Sequence, residues 1–204
     1  MDDNGDQATR SWRSNQNHGR ELMPAIIDSL TELSLAAPDI THVGVALGPG
    51  GFSAVRVGIS AVLGLTIAKQ LPVLGILTHD IEAKPYISDV TITSPLYSLI
   101  PAGRNEISWK RHDLSTELTI GIASPEELSE LLEPAALICG EACDLMAGLV
   151  DQSQFRGHEA PTRDPKSIIE IAAAKFNSGS STPYEELRPV YARPPSITKP
   201  KTPK

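Results

Sequence analysis

The chain holds no run of about 18 apolar residues, so the sequence offers no helix able to cross a membrane. It also lacks the charged-then-apolar opening of a secretory leader, because residues 1–17 are polar and mixed in charge. A cytoplasmic, water-soluble protein is the expectation. Aromatic residues are only 4% of the 204, so the core has to be built from Leu, Ile, Val and Ala. Positive charge is short too: 18 Lys and Arg face 25 Asp and Glu, giving a net charge of −7. Affinity for nucleic acid rests largely on neutralising phosphates, so this balance argues against RNA binding by the chain alone.

Cysteine is nearly absent. Cys139 and Cys143 stand four apart with no histidine at zinc-ligand spacing, and read as two small, partly buried thiols of a reducing compartment. The five histidines, His18, His42, His79, His112 and His158, form no HxxxH or HExxH pair, so no metal site is expected. There is no G-x-S-x-G nucleophile elbow, no P-loop ending in Lys-Ser/Thr, and no fixed-period repeat.

What is present is an alternation of helices and strands. Leu22, Met23, Ile26, Ile27, Leu30 and Leu33 recur at three and four, predicting a helix over 18–35 with Pro24 in its first turn. Thr41–Leu47 reads as a strand, Ser53 to Gln70 as a helix apolar almost all round, and Val73–Leu77 as a second strand. That order is an α/β unit with a parallel sheet. Further strands are expected over Asp89–Ile100, Glu106–His112, Glu117–Ala123 and Ala135–Cys139. Ser124-Pro125-Glu126-Glu127 is a capping box, and helices are expected over Glu141–Leu149 and from Asp164-Pro165 to about Phe176. Residues 1–17 and the Pro/Lys tail 194–204 are expected to be disordered. A boundary near residues 83 to 95 is expected to separate a first lobe, 18–88, from a second, 89–179.

The segment with most information is Gly48–Gly58. A strand, then Gly48-Pro49-Gly50-Gly51, then a helix has the geometry of an anion cradle, where free N–H groups and the helix dipole converge. A tight turn that brings helix and strand close is the other reading, and both stay open. Ala54, Gly58 and Ala61 share one helix face, with Gly64 and Ala68 further along. Each helical Gly costs about 1 kcal/mol relative to Ala, so something is expected to pack there at short range: either this chain's own sheet or a second subunit. Arg56 near the helix start is expected to pair with a carboxylate or an anion. Asp80 and Glu82 follow the second strand, where α/β folds place functional groups, but as isolated carboxylates in an acidic chain they read as solvated surface.

The stretch from Val43 to Ile76, with GPGGFSAVRVG at its centre, resembles the TsaB (YeaZ) family pattern GxGPGSFTGLRIG and the small-residue helix that follows it. His18–Pro24 is similar to that family's HSExLLP, Thr78–Ala83 to its SSLEAL turn, and Ile100–Ser108 to its IDARRGEVY. Pro101 and Gly103 depart from the last of these. Ala136–Cys143 and Arg188–Arg193 match more faintly, and the resemblance spans roughly residues 15 to 194. It implies the actin-like, sugar-kinase-like (ASKHA) α/β fold of two lobes, with the C-terminal segment 180–193 returning to the first. It also implies a part in making threonylcarbamoyladenosine on tRNA, as the non-catalytic partner of a TsaD-like subunit with a TsaE-like ATPase joining them. ATP and metal are then expected on those partners, with none on this chain, and tRNA is reached only through the complex. A homodimer is expected where the partner is absent. The family opens with an apolar strand and hairpin, so the polar start here implies a first lobe without them. Partner-binding residues implied are Gly48, Pro49, Gly50, Gly51, Phe52, Ser53, Ala54, Arg56, Gly58 and Ala61. The competing readings are an ATP-binding small-molecule kinase of the same fold and a glycopeptidase-like protein.

Overall fold

The structure, a computed structural model, describes residues 1–2, 4–14, 17–91, 94–113, 119–157 and 159–193. Helix α1 (His18–Glu32) leads through a 3-10 turn to strand β1 (Val43–Gly48), helix α2 (Phe52–Thr66), strand β2 (Val73–Leu77) and the short helix α3 (Thr78–Ala83). β1 and β2 pair in parallel, Val43 against Val73 onwards. Among the described residues this first sheet has two strands. Beside β1, α1 and α2 enclose an apolar cavity of about 740 Å³.

The second sheet has the order β5-β4-β3-β6-β7, from β3 (Leu96–Pro101), β4 (Ile107–His112), β5 (Thr119–Ala123), β6 (Leu137–Cys139) and β7 (Phe155–Arg156). β3, β4 and β5 form an antiparallel meander, and β6 joins β3 in parallel. Side chains alternate across a strand, and here the two faces differ. Tyr97, Leu99, Ile107, Trp109 and Ala123 turn into a core completed by Leu128 of helix α4 (Pro125–Leu131) and by Met146. The opposite face carries Ser98, Ser108, Lys110 and His112 and meets α3.

Helix α5 (Pro165–Asn177) lies on the first sheet, with Ala172 and Ile168 against Leu74 and Ile76. The following segment stays there: Thr182 N–H bonds Val73 O at 2.7 Å, Tyr184 hydroxyl donates to Leu71 O at 2.7 Å, and Val190 N–H bonds Leu47 O at 2.7 Å. The capping box at Ser124 and Glu127 is formed.

Four expectations are corrected. α1 starts at His18, so Pro24 lies inside the helix; the first turn is set by Asn17 O, which accepts from Arg20 and Glu21. The strand expected from Asp89 begins at Leu96, since Lys84–Asp89 forms a 3-10 turn; residues 92 and 93 lie outside those described. Glu141–Leu149 holds only the 3-10 turn Cys143–Met146, bounded by Gly140 and Gly148 at φ +104° and +82°. The all-round apolar helix ends at Thr66 instead of Gln70. The Pro/Lys tail 194–204 and part of the strand expected at Glu117 fall outside the described residues. In the polar N-terminal stretch, Arg10 pairs with Glu32 and Trp12 Nε1 donates to Glu21, both on α1.

Candidate functional site

The Gly48–Gly51 turn is shaped by the returning C-terminal segment. Gly48 has φ +105°, and a Cβ there would stand 2.4 Å from Val190 O, so close backbone approach requires glycine. Gly50 and Gly51 differ: an added Cβ would meet only Val55 and Ala54 side chains at 3.7 and 3.9 Å. Pro49 follows a cis peptide bond. Gly51 caps α2 without any side-chain hydrogen bond, which leaves the first amides of the helix uncapped.

The same return places Tyr191 over the first turn of α2. Its ring stacks on Phe52 at 4.9 Å between centroids, and Arg56 Nε donates to its hydroxyl at 2.7 Å. The Arg56 guanidinium lies 4.0 Å from the centre of the Phe52 ring, at cation–π range. Of the two partners expected for Arg56, a carboxylate or an anion, no carboxylate pairs with it among the described residues, and two aromatic rings flank it instead. Phe52 is 41% exposed.

The small-residue face divides. Gly58 and Ala61 line the cavity between α1, α2 and β1, and a Cβ on Gly58 would meet Val45 at 3.9 Å. Ser53, Ala54, Arg56, Ser60 and Gly64 are exposed, and nothing lies within 4 Å of a Cβ built on Gly64. The turn and the start of α2 thus come together with Tyr191, while Gly58 and Ala61 face inward.

Sequence reasoning missed a polar network where the lobes meet. His79 Nδ1 lies 2.9 Å from Ser98 Oγ, and its Nε2 lies 3.1 Å from Ser108 Oγ. Ser98 Oγ also lies 2.9 Å from His112 Nε2. Lys110 pairs with Asp80, whose Oδ1 is 3.9 Å from His112 Nδ1. Burial, reinforced by neighbouring cations, pulls both imidazoles down to about 4, so they are neutral at pH 7. A signal existed: Ser108, Lys110 and His112 alternate with Ile107 and Trp109 along one strand.

Neither expected surface carboxylate is isolated: Asp80 is half-buried and pairs with Lys110, and Glu82 is buried. Glu82 is 1% exposed; it accepts from Thr162 Oγ1 at 3.0 Å and lies 3.0 Å from Arg163 Nε, out of line for a hydrogen bond. Burial raises its carboxyl above the ordinary range despite Arg163. Cys139 and Cys143 are fully buried free thiols, both pushed up by burial. Among the described residues no three His, Cys, Asp or Glu side chains gather as a metal ligand set, and no helix is long and apolar enough to cross a membrane.

Comparison with known proteins places this geometry. Residues 13–136 match the family described as TsaD, tRNA N6-adenosine threonylcarbamoyltransferase. The tRNA threonylcarbamoyladenosine biosynthesis protein TsaB of Escherichia coli K12 is 25% identical over 187 residues, covering 86% of this chain and 80% of that protein. A tRNA N6-adenosine threonylcarbamoyltransferase of Anaeromyxobacter dehalogenans is 25% identical over 173 residues; the chain spans about half its length, 51%. YeaZ from Pseudomonas aeruginosa superposes with a TM-score of 0.71 at 22% identity, over 86% of this chain and 84% of that one. The shared architecture is the actin-like α/β fold. The chain belongs to the family described as TsaD, and over most of its length it is similar to TsaB of Escherichia coli.

Proposed function

We propose that this chain takes part in making threonylcarbamoyladenosine on tRNA, as a non-catalytic scaffold that docks a TsaD-like catalytic subunit. The likeness to TsaB supports the pathway. The observation that carries the docking is the exposed stack of Phe52, Arg56 and Tyr191 beside the uncapped start of α2. Aromatic and arginine side chains held rigid before binding lose little entropy on association, which is the character of interface hot spots. Pro49, Gly50, Gly51, Ser53 and Ala54 surround the stack and let a partner backbone approach. Gly58 and Ala61 contribute from the inner side, by allowing α2 to lie close on β1. On this reading ATP and metal sit on the partners, a TsaE-like ATPase joins through the TsaD-like subunit, and tRNA is met only in the assembly. The same face would pair two copies when the partner is absent.

Co-expression of the tagged chain with the TsaD-like protein of the same cell tests this. The two are expected to co-purify, and Phe52→Ala is expected to lose the partner while eluting as a folded protein. Recovery of the tagged chain without the TsaD-like protein would refute the docking.

A further inference from the structure

Between the lobes, directly under the Gly48–Gly51 turn, lies a second cavity of about 330 Å³. Leu77, Ile120, Ile122, Val190 and Tyr191 supply its apolar wall. His79 and Ser108, 1% and 2% exposed, supply its buried polar groups. Of the Ser108 hydroxyl's hydrogen-bonding capacity, His79 Nε2 takes one share, and the remainder has no partner among the described residues. Among the described lining residues there is no Asp, Glu, Lys or Arg. Asp80 and Lys110, next in sequence or strand register to His79 and Ser108, engage each other.

We propose that this cavity binds an uncharged, mainly apolar small molecule with one hydrogen-bonding group, which the Ser108 hydroxyl receives. Concave apolar walls with a few fixed polar groups are the usual form of a small-molecule site. A charged ligand would shed its hydration and find no counter-charge in the wall. Ser108 and His79 have the spacing of a nucleophile and its base. An imidazolium at His79, however, would form beside Lys110 and His112, with Asp80 already held by Lys110. The pair is a hydrogen-bonding floor, with His79 fixed from behind by Ser98. The site shares Pro49 and Tyr191 with the proposed docking patch, while Phe52 and Arg56 do not line it, and its argument uses only the cavity wall, His79 and Ser108.

The test titrates the full chain with three probes of one shape, benzamide, benzoate and benzamidine, followed by protein-observed NMR. Benzamide is expected to bind with shifts at Ser108 and Ile122, and the two charged probes about tenfold or more weaker. Ser108→Ala is expected to weaken benzamide about fivefold, the loss of one hydrogen bond. Ile122 is partly exposed, so Ile122→Trp can fill the cavity without disturbing the core, and is expected to abolish binding while unfolding stays cooperative. Equal binding of all three probes, no binding of benzamide at millimolar concentration, or full binding by folded Ile122→Trp would each overturn the proposal.

Discussion

Ser98 holds two imidazoles at once, with His79 on one side and His112 on the other, each 2.9 Å away. Both rings titrate near 4 in the folded chain, against about 6.5 unfolded. Between those values the unfolded state binds more protons, so folding weakens as pH falls from about 6.5 toward about 4. Between pH 7 and pH 5 the folded chain is therefore expected to lose stability, since the unfolded state takes up protons that the buried rings refuse. Urea midpoints at the two pH values measure it, and His112→Gln is expected to flatten the profile; an unchanged midpoint contradicts the neutral network. Cys139 and Cys143 offer a second check. Both are buried and raised, so neither is expected to react with a thiol reagent at pH 8 until the chain is unfolded. Native-state labelling would contradict their burial. At this scale the sequence was only partly readable. The pattern of β4 shows two faces, but His79 and Ser98 meet only through the register of β3 and β4 and the seating of α3 against them.

Among the elements, α2 was the most legible, because a glycine turn followed by an apolar run of helical length identifies itself. Its end was less so: Thr66 turns its hydroxyl back onto Val62 O, and Gln70 then takes φ +51°. What the sequence could not sort was which glycines this chain itself needs. Gly64 has no neighbour within 4 Å of an added Cβ, whereas Gly48 has a carbonyl at 2.4 Å. Gly64→Ala is therefore expected to stabilise the chain by about 0.5–1 kcal/mol, the helical propensity difference, in a denaturant titration. A loss of stability would mean that the helix lies closer to a neighbour than the structure shows.

For the whole molecule, the decisive piece is the return of the C-terminal segment. Val190 hydrogen-bonds Leu47, Tyr191 covers Phe52, and together they roof the cleft between the two sheets. The family resemblance implied a return to the first lobe, but a Pro-rich stretch carries no periodicity to say where it lands. Gly48→Ala is expected to cost about 1–3 kcal/mol, the scale of a strained backbone position, and to speed hydrogen exchange at the Val190 amide. Unchanged exchange there would show that the segment is held some other way. The proposed role as a docking scaffold depends on that roof, because Tyr191 stacks on Phe52 and accepts from Arg56. The most direct measurement is the dissociation constant for the TsaD-like subunit of the same cell, by calorimetry. Arg56→Glu would be compared with Lys175→Glu, an equal charge change on exposed α5. The expected result is tight binding by the natural chain and by Lys175→Glu, with a loss of about tenfold or more for Arg56→Glu. Equal affinities for all three chains, or no binding by the natural chain, would contradict it.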